Sequence, residues 1–184
     1  YNVTRKIAST LTSALGYLTV ATRLEQKDYS ALYMEVEDLY LRLAEKAEAG
    51  SDFQKLWYSR YVSVSKTAKH LANLQNILNG EKTFDGITID QDKRWTLVAK
   101  MNRYQHGNYK ALLTSETAKD VTDSGVKNAI YSEVLRPEAE VKEKWFNVVI
   151  NNPDKLKLST LRYIMWGLFP SEQQALEAPY KAKI

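Results

Sequence analysis

The sequence predicts an all-α fold of about ten helices in antiparallel pairs. Three observations carry that prediction. Apolar residues recur at intervals of three and four along almost the whole chain. Only 7 glycines and 4 prolines occur in 184 residues, fewer turn formers than a β-sandwich or barrel needs. Cap and stop residues punctuate the apolar stripes at helical lengths.

The elements follow in order. Ile7, Leu11, Ala14, Leu15 and Leu18 form one face of a first helix. Asp28 caps a second, with the stripe Leu32, Val36, Leu39 and Leu43, and Gly50 stops it. Ser51 to Gln54 reads as a capping box, the serine oxygen accepting from the Gln54 amide and the glutamine side chain returning to the Ser51 amide. Phe53, Leu56, Trp57, Tyr61 and Val64 line the third helix. Thr67 restarts the chain, Leu71, Leu74 and Leu78 pack inward, and Gly80 ends the fourth helix.

Residues 81–89 are the one extended stretch, turning at Asp85-Gly86. Asp90 caps a helix carrying Trp95, Val98, Ala99 and Met101, closed at Gly107. Asn108 opens a helix with Leu112 and Leu113. Thr122 or Asp123 opens another with Val126, Ile130 and Val134. Pro137 stands at the first position of a helix with Val141, Trp145, Val148 and Val149. Ser159 caps Leu161, Ile164, Met165 and Leu168. Ser171 to Gln174 is a second capping box, and Tyr180 to Ile184 reads as the start of a further element. Helix pairs recur at roughly 35–45 residues, the period of an α-solenoid. The pattern is that of a HEAT/armadillo-like right-handed α-α superhelix, with a helical bundle as the alternative.

Composition narrows the function. The length suits one domain, 1–184, burying roughly 70% of its unfolded surface without a metal or disulfide. Hydrophobic residues at 44% and charged residues at 26% exclude a disordered chain. The absence of cysteine excludes a disulfide scaffold, a thiolate metal site and a cysteine nucleophile. No apolar run reaches the roughly 18 residues of a membrane helix. The chain starts at Tyr1 rather than Met, as a piece of a longer protein would.

Candidate chemistry is sparse. Of the two histidines, His106 beside Gly107 suits a helix C-terminus, and His70 is expected on a helix surface. Neither sits in a metal-binding spacing. No GxSxG, GxxxxGK[ST] or GxGxxG occurs, and the carboxylates sit on polar helix faces. The chain by itself does not read as an enzyme. Between Asp52 and Glu81 there is no acid, while Lys55, Arg60, Lys66 and Lys69 are present. That stretch reads either as an electropositive patch for an anionic group or as a solvated basic face. A net charge of +4 and a pI of 9.0, without a long Lys/Arg run, make a weak footprint for nucleic acid.

Several strings in fixed order resemble a known family. They are Gly50-Ser51-Asp52-Phe53-Gln54-Lys55-Leu56-Trp57, Leu78-Asn79-Gly80 and Gly86-Ile87-Thr88-Ile89-Asp90-Gln91-Asp92-Lys93-Arg94-Trp95. Asp120-Val121-Thr122-Asp123-Ser124-Gly125, Leu135-Arg136-Pro137, Lys142-Glu143-Lys144-Trp145 and Gln173-Gln174-Ala175-Leu176-Glu177-Ala178-Pro179-Tyr180 follow. Together they resemble the C-terminal helical domain of the aminopeptidase N family of zinc metallopeptidases, in its bacterial branch. The endoplasmic-reticulum aminopeptidases carry an equivalent domain. The resemblance implies a multidomain parent whose zinc, HExxH motif and GxMEN motif lie in a preceding catalytic domain. Neither motif is in this chain.

It further implies a domain that encloses the active site, with the catalytic domain of the same polypeptide and peptide substrates as partners. Neither nucleic acid nor membrane is expected as a partner, no cofactor in this chain, and a cytoplasmic parent. Arg60, Arg94 and Lys55 are candidates to hold a substrate's terminal carboxylate. Arg94, four residues after Asp90, has a structural reading as its i,i+4 partner. A stand-alone protein-interaction scaffold is the alternative function.

Overall fold

Tyr33 and Tyr40 on one helix donate their hydroxyls to the carbonyls of Leu15 (2.6 Å) and Ala8 (3.0 Å) on another. Those two bonds fix the first two helices antiparallel. They belong to a computed structural model describing residues 1–25, 27–151 and 156–183. Ile184 lies outside the described residues.

Ten α-helices and no strand occur among the described residues. They are α1 (Asn2–Glu25), α2 (Ser30–Lys46), α3 (Asp52–Val64), α4 (Ala68–Asn79), α5 (Gln91–Arg103), α6 (Tyr109–Lys119), α7 (Asp123–Val134), α8 (Ala139–Asn151), α9 (Leu158–Leu168) and α10 (Gln174–Glu177). Short 3₁₀ turns, Ser171–Gln173 and Ala178–Lys183, flank the last. The all-α expectation holds. The chain divides into two compact units, Tyr1–Asp90 and Gln91–Ile184.

In the first unit α3 packs against both α1 and α2. Its core holds Leu56, Tyr61, Leu74 and Ile77, with Trp57 stacked on Tyr40 at 5.9 Å. The capping box is half as predicted. Ser51 Oγ accepts from the Gln54 amide at 3.1 Å. The Gln54 side chain instead accepts from the Gly50 amide (2.7 Å) and donates to the Asp85 carbonyl (2.9 Å). It thereby ties the 80–90 link to α3. Gly86 (φ +80°) turns that link so close to Gly50 that a Cβ would lie 2.1 Å from the Gly50 nitrogen. Gly80 ends α4 in the left-handed conformation, as expected.

In the second unit α5, α7 and α9 pack side by side, α6 lies against α5 and α7, and α8 lies against α7 and α9. Trp95, Val98 and Met101 are buried as predicted, and Val134, Trp145, Phe146, Ile164 and Tyr180 make a second core. Thr122 caps α7 through a bond from the Gly125 amide at 3.0 Å.

Several predicted positions move. Ile7, Leu32, Phe53, Val126 and Met165 are exposed, although Val36, Leu56, Tyr61, Val134 and Ile164 of the same predicted stripes are buried. Pro137 precedes α8 by two residues, and Ser159 lies inside α9, which starts at Leu158. At Ser171 no side-chain cap forms, and Gln173 donates instead to the Leu135 carbonyl at 2.8 Å. The left-handed residue after α5 is first Gln105 (φ +51°), then Gly107.

Candidate functional site

The cations of the acid-free stretch differ in their surroundings, and one of them meets an acid from elsewhere. Lys69 pairs with Asp38 of α2 at 2.6 Å, and the Lys66 ammonium sits over the Tyr33 ring, 3.0 Å from its centroid. Lys66 lies in the α3–α4 link rather than on a helix. The buried Glu37 carboxylate accepts from the amides of Lys66 (2.6 Å) and Thr67 (3.0 Å) and from the Thr67 hydroxyl. It ties the α3–α4 link to α2 just ahead of α4, and Thr67 makes no side-chain cap bond. A gap in acidic sequence is therefore not a gap in acidic surroundings, because α2 supplies the carboxylates.

Arg60 is half-buried and Lys55 exposed, both on α3, and neither has an ion-pair partner among the described residues. Five positions on a helix separate them by about 140°, so they do not share a face. Arg94 lies in the first turn of α5 in the second unit and makes a bidentate pair with Glu116, both bonds 2.7 Å. Gln91 adds a third bond to the same carboxylate at 2.9 Å. The guanidinium holds the fully buried Glu116 below the ordinary carboxylate range. Glu116, on a helix 22 residues away, is a partner the i,i+4 reading does not anticipate.

His70 is wholly buried, which corrects the surface placement. Its Nδ1 is 3.2 Å from the Tyr61 hydroxyl and its Nε2 is 3.2 Å from Asp38 Oδ1. Burial lowers its pKa, against the pull of Glu37 and Asp38. Among the described residues no group of three His, Cys, Asp or Glu is arranged to hold a metal. The Glu37 oxygens are committed to the start of α4. These residues do not fit a zinc site.

The second unit does hold a cleft, about 450 Å³ in volume, which sequence reading missed. One face of α5 supplies Asp92, Trp95, Thr96, Ala99, Lys100 and Arg103. One face of α7 supplies Ser124, Asn128 and Tyr131, Leu135 follows at the same 4-3-4 spacing, and α9 adds Tyr163. The Tyr131 and Tyr163 rings meet edge to face at 6.1 Å, and Trp166 continues the aromatic row 5.6 Å from Tyr163. Trp95 is fixed by its indole N–H, which donates to Asp120 at 2.7 Å. Arg103 pairs bidentately with Glu172, at 2.5 and 2.7 Å. Burial opposes both charges, yet the pairing wins, raising the Arg103 pKa and lowering that of Glu172.

Charged residues stand toward both ends of the cleft, with Arg103 neutralised by Glu172. Asp92 marks one end of the α5 face and Lys100 and Arg103 the other, about 12–16 Å away at 1.5 Å per residue. Its walls offer aromatic surface, and Thr96, Ser124 and Asn128 offer neutral hydrogen-bonding groups. Those features suit an extended peptide-like chain of about four residues at 3.3 Å each. They include no nucleophile with a positioned base.

The described residues thus form an all-helical chain whose second unit carries a cleft between α5, α7 and α9. Over 136 residues, 73% of this chain, the sequence is 30% identical to the Aminopeptidase N of Streptomyces lividans. Most of the chain is thus related to a stretch of an aminopeptidase N. It spans about 15% of the length of that curated relative. No protein-family model matches the chain. No helix among the described residues is long and apolar enough to cross a membrane.

Proposed function

We propose that this chain is the C-terminal, substrate-enclosing domain of a zinc-dependent aminopeptidase of the bacterial branch, and that it carries no catalytic group itself. The similarity to an aminopeptidase N over 73% of the chain carries the reading. The cleft supports it, since a peptide held by its amino end elsewhere presents side chains, amides and a carboxylate to whatever covers it. The zinc and the residues that cleave the peptide belong to the catalytic domain of the parent, which is this domain's partner. The parent acts in the cytoplasm.

A carboxylate taken out of water needs a cation or free amides. Arg60 on α3 is the proposed contact, with Lys55 on another face of that helix and Lys100 of the cleft as separate candidates, each taken by itself. Arg94 is bound to Glu116 through two donors and is left out of the test. In the full-length polypeptide, Arg60→Ala or Lys100→Ala is expected to raise KM about fivefold for peptides with a free C-terminus. That corresponds to roughly 1 kcal/mol, the net contribution of one ordinary hydrogen bond. C-terminally amidated peptides and a single-residue anilide keep their KM. Equal losses on all three substrates, or none on any, would overturn the proposal.

A further inference from the structure

Asn128 stands apart from the buried amide side chains of the second unit. Asn102 accepts from Arg136 at 2.8 Å and donates to the Val98 carbonyl at 2.9 Å. Gln173 donates to the Leu135 carbonyl at 2.8 Å. Asn128 is half-buried in the wall of the cleft, and its carboxamide makes no hydrogen bond with another described residue. An acceptor oxygen and two N–H donors are left for water or a ligand. The hydroxyls of Tyr131 and Tyr163, half-buried in the same cleft, are likewise unbonded among the described residues.

These three side chains are arranged together. Tyr131 follows Asn128 by three residues, on the same face of α7 and about 4.5 Å further along it. Its ring meets Tyr163 of α9 edge to face, at 6.1 Å and 82°. Two rings at nearly a right angle make a corner that offers one face and one edge to an apolar or aromatic side chain. Trp166, 67% exposed, continues that aromatic surface 5.6 Å from Tyr163.

The charges at the ends of the cleft have an explanation within the fold. Asp92 in the first turn of α5 and Lys100 and Arg103 in its last turn stand where the helix dipole favours each sign. Arg103 is also paired with Glu172. Thr96 and Ala99 between them are neutral, and so is Asn128 on the α7 wall. The unspent groups therefore suit an uncharged ligand that both donates and accepts, next to an apolar or aromatic group.

We propose that Asn128 holds a bound peptide by one internal main-chain residue, while the Tyr131–Tyr163 corner takes an aromatic or large aliphatic side chain beside it. In an extended chain the N–H and C=O of one residue point the same way, as they do when two strands exchange a pair of bonds. The Asn128 Oδ1 accepts from that N–H and its Nδ2 donates to that carbonyl, whatever side chain the residue bears. The choice of a peptide rests on the reading of the chain as part of an aminopeptidase. Asn128 is then a positioning residue for peptides long enough to reach the cleft.

The test reads the Asn128 side-chain amide by nuclear magnetic resonance in the isotope-labelled 184-residue chain. Its NH₂ signals are assigned by their loss in Asn128→Leu, and circular dichroism checks that this variant is folded. The Trp95 indole N–H, in the same cleft, reports binding in every variant. The probes are acetyl-Ala-Phe-Ala-amide, which is uncharged, its three versions with a methyl on one main-chain nitrogen, and acetyl-Ala-Ala-Ala-amide. Adenosine is the control, because asparagine also pairs with an adenine edge. The Phe peptide at millimolar concentration is expected to move both signals, and one of the three methylations to weaken it at least fivefold. In Asn128→Leu the unmethylated peptide should bind at that weakened level, and the same methylation should cost nothing more, since both changes remove one contact. The Ala peptide should bind more weakly than the Phe peptide, and Tyr163→Leu should abolish the difference.

An Asn128 amide unmoved by the Phe peptide would overturn the inference. So would a methylation penalty of the same size in Asn128→Leu, or adenosine binding more tightly than the peptide. In the full-length polypeptide, Asn128→Leu is expected to raise KM, and not to lower kcat, only for peptides beyond a threshold length. An equal loss at every length would mark the residue as structural and overturn its positioning role. Hydrolysis of an aminoacyl anilide by the unsubstituted full-length protein separates the two claims. Hydrolysis with an unmoved Asn128 amide sinks this inference alone, and a bound peptide without hydrolysis sinks the functional reading alone.

Discussion

Lys142 is the residue whose environment most departs from its type. It is fully buried on α8, and its ammonium donates to the carbonyl of Val134, the last residue of α7, at 2.6 Å. The Gly167 carbonyl of α9 lies at 3.5 Å. One cation thus joins three helices and answers a carbonyl that the end of α7 leaves without a helical partner. Burial brings its pKa down to about 8, with Glu172 pulling upward and Arg103 downward. An unfolded lysine titrates near 10.4, so between about pH 8 and 10 the unfolded chain binds more protons. Folding stability is therefore expected to rise through that window, and Lys142→Met to flatten the rise. Urea midpoints at about pH 7, 8, 9 and 10 measure it. A parent midpoint that falls across the upper part of that range, or a Lys142→Met profile as steep as the parent's, would contradict this account. Nothing in the sequence signals the burial of Lys142, since its neighbours Glu140, Glu143 and Lys144 suggest a solvated face.

At the scale of an element, glycines divide by what surrounds them. Gly125, in the first turn of α7, faces the Asp120 carbonyl so closely that a Cβ would stand 2.2 Å away. The contact is with backbone, which does not yield like a side chain. Gly125→Ala is expected to cost about 2 kcal/mol or more, as overpacking does. Gly16, in the middle of α1, has nothing within 4 Å of a built Cβ. Gly16→Ala is expected to stabilise by about 0.5–1 kcal/mol, since it only restricts the unfolded chain and favours the helix. Thermal melts of the two variants should move in opposite directions. Sequence shows both of these glycines at helical positions and does not separate them, because the deciding atoms belong to Asp120, outside the helix.

For the whole molecule, the purified chain is expected to hold no zinc after dialysis and to hydrolyse no aminoacyl anilide. Metal analysis and a chromogenic assay check both. Zinc retained at a stoichiometric level and lost in His70→Gln would count against the account. Its far-ultraviolet spectrum should be that of a helical protein, in line with the helices described.

The helices were legible from the residues alone, because cap, stop and apolar spacing are local properties that a few neighbouring residues decide. Gly80 after α4, Thr122 before α7 and the buried Trp95, Val98 and Met101 could all be read in that way. Which side of each helix is covered came from the packing. A stripe such as Leu32, Val36, Leu39 and Leu43 states that a face is apolar, but only the positions of α1 and α3 add Tyr33, Tyr40 and Ala44 to the packed side. The partners of the charges were set there too. Glu116 reaches Arg94, Glu37 reaches the start of α4, and Asp38 reaches Lys69, each from a distant part of the chain. The cleft is of the same kind. Ser124, Asn128, Tyr131 and Leu135 can be aligned on one face from their spacing, yet Arg103 and Tyr163 join them only because α5, α7 and α9 lie side by side. Helical periodicity acts over a few residues, while burial and ion pairing depend on which segments the folded chain brings into contact.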